Sequence, residues 1–86
     1  MKLYFSDEFW KEFRQLSPHV QKQAKQAFEH FALDPRYPNL RFKCVNKNEA
    51  KYSIHVDRTH RVLGYMQDGE ATWYWIEPHD EYERLI

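Results

Sequence analysis

Apolar residues recur at helical spacing along the first part of the chain and in strict alternation along the rest, and this switch predicts helices followed by strands. Ser6 stands before Asp7 and Glu8. A hydroxyl that can accept from orphan N–H groups, followed by carboxylates at the positive end of the helix dipole, marks a helix start. Phe9, Trp10, Phe13 and Leu16 then share one face. At Ser17-Pro18 the chain restarts, with Ser17 as N-cap and Pro18 at the first helical position, where its missing N–H costs little. Val20, Ala24, Ala27, Phe28 and Phe31 continue with helical spacing, so two amphipathic helices meet at a short joint as an αα-hairpin. Asp34-Pro35, with Pro38 soon after, ends it.

Beyond the prolines Leu40, Phe42 and Cys44 alternate with Arg41 and Lys43, and Tyr52, Ile54 and Val56 alternate with Ser53, His55 and Asp57. Each run predicts a strand with one polar face. A third strand near Arg61 to Gln67 and a fourth near Glu70 to Glu77 flank Asp68-Gly69, a dipeptide suited to the positive φ angles of a tight hairpin. Pro78 cannot donate to a ladder, and the segment from His79 to Ile86 is expected as a short terminal helix packed back through Leu85 and Ile86. Helices first and strands after predict an α+β fold: an N-terminal αα-hairpin on a mainly antiparallel four-stranded sheet, with a C-terminal helix.

The 86 residues suffice for one domain, 1–86, and an aromatic content of 17% supplies much apolar area per residue for its core. The lone Cys44 has no partner for an intramolecular disulfide and is expected as a small buried hydrophobe. No stretch approaches the roughly 20 apolar residues of a membrane span. A cytosolic protein is the expectation.

Formal net charge is zero, but it is unevenly spread. Between Arg36 and Arg61 lie Arg41, Lys43, Lys47, Lys51 and Arg58, opposed only by Glu49 and Asp57, whereas beyond Val62 acidic residues face Arg84 alone. The middle of the chain is therefore a candidate phosphate-binding surface, or else a solvated face balanced by an acidic tail. Gly64 and Gly69 are the only glycines and neither lies between a strand and a helix, which excludes a Gly-rich phosphate loop. His55, His60 and His79 lack familiar metal-ligand spacing, so no metal or other cofactor is expected. His19 and His30 fall among polar neighbours and are expected at the surface.

Arg41, Lys43, His55, Arg58, His60 and Arg61, with His79 and Tyr82 three residues apart, suit a phosphodiester. Metal-free RNA cleavage needs a base for the 2′-hydroxyl, a cation for the charge developing on the phosphoryl group and an acid for the leaving oxygen. Histidine serves either proton transfer near neutral pH, arginine clamps phosphate in bidentate fashion, and tyrosine offers a stacking ring. Each also has a structural alternative: His79 capping a helix, Tyr82 packing on the sheet, Arg61 pairing with Asp57.

The order of elements, with Asp34-Pro35-Arg36, Tyr52-Ser53-Ile54-His55-Val56, His60-Arg61-Val62-Leu63 and the run from Trp75 to Tyr82, resembles the RelE/ParE toxin superfamily over nearly the whole chain. The resemblance implies a toxin held inactive by a cognate antitoxin. RNase members act on mRNA in the ribosome without metal, ParE members poison DNA gyrase, and a third alternative is a non-toxic member that acts only as a binding module. Arg61 matches the arginine that contacts the scissile phosphate in RNase members. His79 falls where those members place a catalytic arginine or histidine, and Tyr82 near their C-terminal tyrosine. Ser53 and His55 replace two lysines of the RelE branch, which points to histidine chemistry, with Glu49 as a candidate carboxylate base. The resemblance thus implies Arg61, His79, His55 and Tyr82 as catalytic residues, and Arg41, Lys43, Arg58 and His60 remain the candidates for holding RNA. The aromatic strand holding Trp73, Tyr74 and Trp75 sends rings to both sheet faces, one for the core and one either for a partner or for a second core.

Overall fold

A computed structural model describes residues 2–78. Strand β1 (Lys2–Phe5) leads into helices α1 (Asp7–Arg14) and α2 (Pro18–Leu33), a 3-10 turn at Pro38–Leu40, and strands β2 (Lys43–Asn46), β3 (Lys51–His55), β4 (His60–Gln67) and β5 (Glu70–Pro78). The fold is α+β, with the sheet order β1-β5-β4-β3-β2. All neighbours are antiparallel except β1 and β5, which run parallel. The sheet thus has five strands and is mixed, where the sequence predicts four. Four residues of Lys-Leu-Tyr-Phe are too short an alternation to announce a strand, and the partner that makes them one lies at the other end of the described chain. The expected terminal helix falls outside the described residues.

Both helix starts are built from their serines. Ser6 Oγ accepts from Phe9 N at 3.2 Å, and Ser17 Oγ from Val20 N at 3.3 Å. The joint is held by Gln21, whose Nε2 donates to the carbonyls of Phe13 (3.0 Å) and Leu16 (3.1 Å) at the open end of α1. Phe9, Phe13, Ala24, Ala27, Phe28 and Phe31 then meet Ile54, Val62, Ala71, Trp73 and Ile76 in one core, with Leu3 and Phe5 at its edge. Leu63 and Trp75 occupy a second cluster with Val45 and Tyr74.

A bulge reconciles the two. Gly64 stands opposite Trp73 and Leu63 opposite Trp75, so Tyr74 is the extra residue on β5 and shifts the alternation. Trp73 and Ile76 can then both join the core. Trp73 is fully buried and Trp75 is 7% exposed, so both clusters are internal, while Tyr74 stacks on the exposed Tyr65 with centroids 4.8 Å apart. Gly64 is required here, because a Cβ on it would fall 2.4 Å from Trp73 Cε3.

The segment from Leu40 to Cys44 departs from the predicted strand. Pro38 initiates the 3-10 turn, Leu40 is buried beneath it, and Arg41 adopts left-handed φ 46° and ψ 46°. Pairing begins only at Lys43, and Cys44 is exposed rather than buried. Asp68 (φ 49°) and Gly69 (φ 78°) form the tight hairpin turn between β4 and β5.

Candidate functional site

The turn joining β3 to β4 is organised by one carboxylate. Asp57 Oδ1 accepts from Thr59 N and His60 N, both at 2.8 Å, and from Thr59 Oγ1 at 3.1 Å, with His60 Nδ1 also at 3.1 Å. Burial pushes the Asp57 carboxyl upward, but the hydrogen bonds from Thr59 and His60 and the charge of His60 outweigh it and hold the group below its ordinary value. Arg61 completes the turn from β4. Its Nη1 donates to the carbonyls of Asp57 (2.8 Å), His60 (3.1 Å) and Arg58 (3.3 Å), and the residue is 8% exposed. The register sets His55 directly across from Arg61, so their side chains leave the same face.

Beside this turn lies an open cleft of about 470 Å³ lined by Gln23 of α2, Asn39 and Arg41 of the 3-10 turn, and His55, Val56, Asp57, Arg58 and Arg61. Three guanidinium groups face one carboxylate whose acceptor oxygen is already engaged, so the cleft favours an anion. Arg41 reaches its wall from a left-handed backbone, a conformation that costs of order 1 kcal/mol in a residue with a Cβ.

Of the residues expected from sequence, Arg41, His55, Arg58 and Arg61 come together in the cleft. Arg61 is buried rather than on an exposed polar face, because its guanidinium caps the turn carbonyls. Lys43 is exposed on the edge strand and His60 is turned onto Asp57 and Thr59; neither lines the cleft. Glu49 sits at the β2–β3 turn with Asn46 and Lys51 and does not line the cleft. His79 and Tyr82 lie outside the described residues. Gln23 and Asn39 were not singled out by sequence, and Asp57 was expected only as a carboxylate partner for Arg61, which instead meets its backbone carbonyl. The Asp-x-Thr spacing of a side-chain-capped turn could have shown the part Asp57 plays in the turn, whereas lone amides on a helix or after a proline read as solvated.

Two helices on one face of a five-stranded mixed sheet define a small α+β fold that solved structures share. The RelB-RelE antitoxin-toxin complex from Methanococcus jannaschii matches with a TM-score of 0.77 at 13% identity, covering 96% of this chain and 98% of that one. The YoeB/ParE toxin from Agrobacterium tumefaciens matches with a TM-score of 0.72 at 12% identity, covering 92% and 99%. The intact E. coli RelBE toxin-antitoxin complex gives 0.67 at 19% identity, covering 87% and 92%. No curated protein matches the chain at a significant level. A family profile, the ParE-like toxin domain, matches residues 18–84, and the chain belongs to that family.

Proposed function

We propose that this toxin is a metal-independent endoribonuclease that cleaves mRNA on the ribosome and is held inactive by a cognate antitoxin in the cytoplasm. The observation that carries the reading is the convergence of Arg41, Arg58 and Arg61 with His55 in one open cleft. There the 2′-oxygen of the RNA attacks phosphorus and gives its proton to a base, the guanidinium groups take up the charge on the phosphorane, and the 5′-oxygen departs with a proton from an acid. His55 is the proton-transfer group of the cleft. His79 as the second such group and Tyr82 as a ring against the RNA rest on the family likeness. The antitoxin partner is supported by the RelB-RelE and YoeB-YefM complexes among the structural matches.

The test is primer extension on mRNA from cells expressing the chain, with His55→Ala and His79→Ala in parallel. New 5′ ends that depend on translation and vanish in the variants are the expected result. The ParE-like family match favours one second reading, inhibition of DNA gyrase. Growth arrest with intact mRNA and accumulated gyrase–DNA cleavage complexes would establish it instead.

A further inference from the structure

The cationic cleft does not stand alone. Gln23, Asn39, His55 and Val56 also line a second pocket of about 190 Å³, which continues between α2 and the 3-10 turn to Gln26, Ala27, His30, Tyr37 and Leu40. Its walls have a different chemistry from the cleft. Gln23, Gln26 and His30 recur at one face of α2, and Asn39 faces them from the turn, so three carboxamides border a space that has no lysine, arginine or carboxylate in its lining. The amide of Gln21 is committed to two backbone carbonyls, whereas those of Gln23, Gln26 and Asn39 make no side-chain hydrogen bond among the described residues. Tyr37 stacks on His30 with ring centroids 4.3 Å apart and planes 20° from parallel, a flat aromatic wall at the far end.

We infer that this pocket is a nucleobase subsite, receiving one base of a single-stranded RNA whose adjoining phosphate sits in the arginine cleft. The inference rests on the proposed action on RNA. A carboxamide offers a donor and an acceptor side by side and so matches the edge of a base, most directly that of adenine, while stacked rings meet its face. His55, common to both pockets, stands at the junction between base and phosphate. The subsite would make the cut selective for the base at one position beside it, through residues of α2 and the turn that take no part in proton transfer.

The experiment is titration of the 15N-labelled full chain with inorganic phosphate and, separately, with each of the four 5′-ribonucleoside monophosphates, followed by amide chemical shifts. Phosphate is expected to shift Arg58 and Arg61. At least one mononucleotide, adenosine monophosphate foremost, is expected to bind about tenfold tighter than phosphate and to shift Gln26 and Tyr37 as well. Gln26→Ala and Tyr37→Ala, both at exposed positions, should abolish that gain and leave phosphate affinity unchanged. Mononucleotides that bind no tighter than phosphate and leave Gln26 and Tyr37 unshifted would overturn the subsite alone. A cleft unshifted by phosphate and nucleotide alike would overturn the anion site and the subsite together. RNA cleavage in cells is scored independently of both outcomes.

Discussion

Arg58 and Arg61 share a cleft yet stand in different relations to the fold. Arg58 is exposed, and its side chain holds nothing together among the described residues; Arg61 is buried and caps three carbonyls of its own turn. Arg58→Ala is therefore expected to weaken RNA cleavage and toxicity with an unchanged urea midpoint. Arg61→Ala should also cost about 1–3 kcal/mol of stability, because it removes the donor that caps three part-buried carbonyls of the turn. Equal midpoints for both variants would show that the turn stands without its guanidinium. Sequence could point to Arg61 because the strand pattern and the family likeness both fall on it. It could not show the burial, since that follows from how Asp57, Thr59 and His60 fold the turn, nor could it separate Lys43 and His60 from the cleft, since basic residues on a strand's polar face look alike. Arg41 reached the cleft through a left-handed backbone that no alternation pattern foretells.

The junction between α1 and β5 carries a proton-linked contact. Glu12 Oε1 accepts from Ile76 N at 3.3 Å. Burial and the neighbouring Glu77 carboxyl push Glu12 up to about 8 against the lowering effect of that Ile76 bond. The folded chain thus keeps a proton that the unfolded chain, near the ordinary value of 4.5, releases. The stabilising contribution is complete below that lower value and is lost as pH rises through the folded one, so stability should fall between about pH 4.5 and 8. Glu12→Gln retains an acceptor for Ile76 and removes the proton, and urea denaturation across that range should show a flatter profile and a gain at the alkaline end. An unchanged slope would place the linkage elsewhere. The helices themselves were legible in sequence because their caps are local: Ser6 and Ser17 need only the N–H groups three residues on. The Leu40 strand was misread because Pro38 and the buried Leu40 favour a compact turn over extension. The bulge at Tyr74 was invisible because it depends on the close fit of Gly64 against Trp73.

At the scale of the molecule, β1 closes the sheet. Its register runs from Lys2 opposite Glu70 to Phe5 opposite Trp73, and Ser6 N donates to the Trp73 carbonyl at 3.0 Å as the chain turns into α1. Phe5 packs its ring against Phe9, Trp10 and Phe28 at centroid distances of 5.1, 5.3 and 4.9 Å, tying the first strand to both helices. Phe5→Ala is expected to cost about 2–4 kcal/mol and to lower the single urea transition of the whole chain. A variant as stable as the parent would make β1 an ornament of the sheet rather than its closure. The α+β class was readable from the order of periods alone, whereas the fifth strand was not, since a parallel pairing between distant segments leaves no local signature. The same pairing sets an order of events. Contacts this distant in sequence form late and slowly, and here the first strand made must wait for Trp73 to be synthesised before it has a neighbour. Each new copy therefore passes most of its synthesis without the closed sheet, and its aromatic core is completed only once β5 has been made.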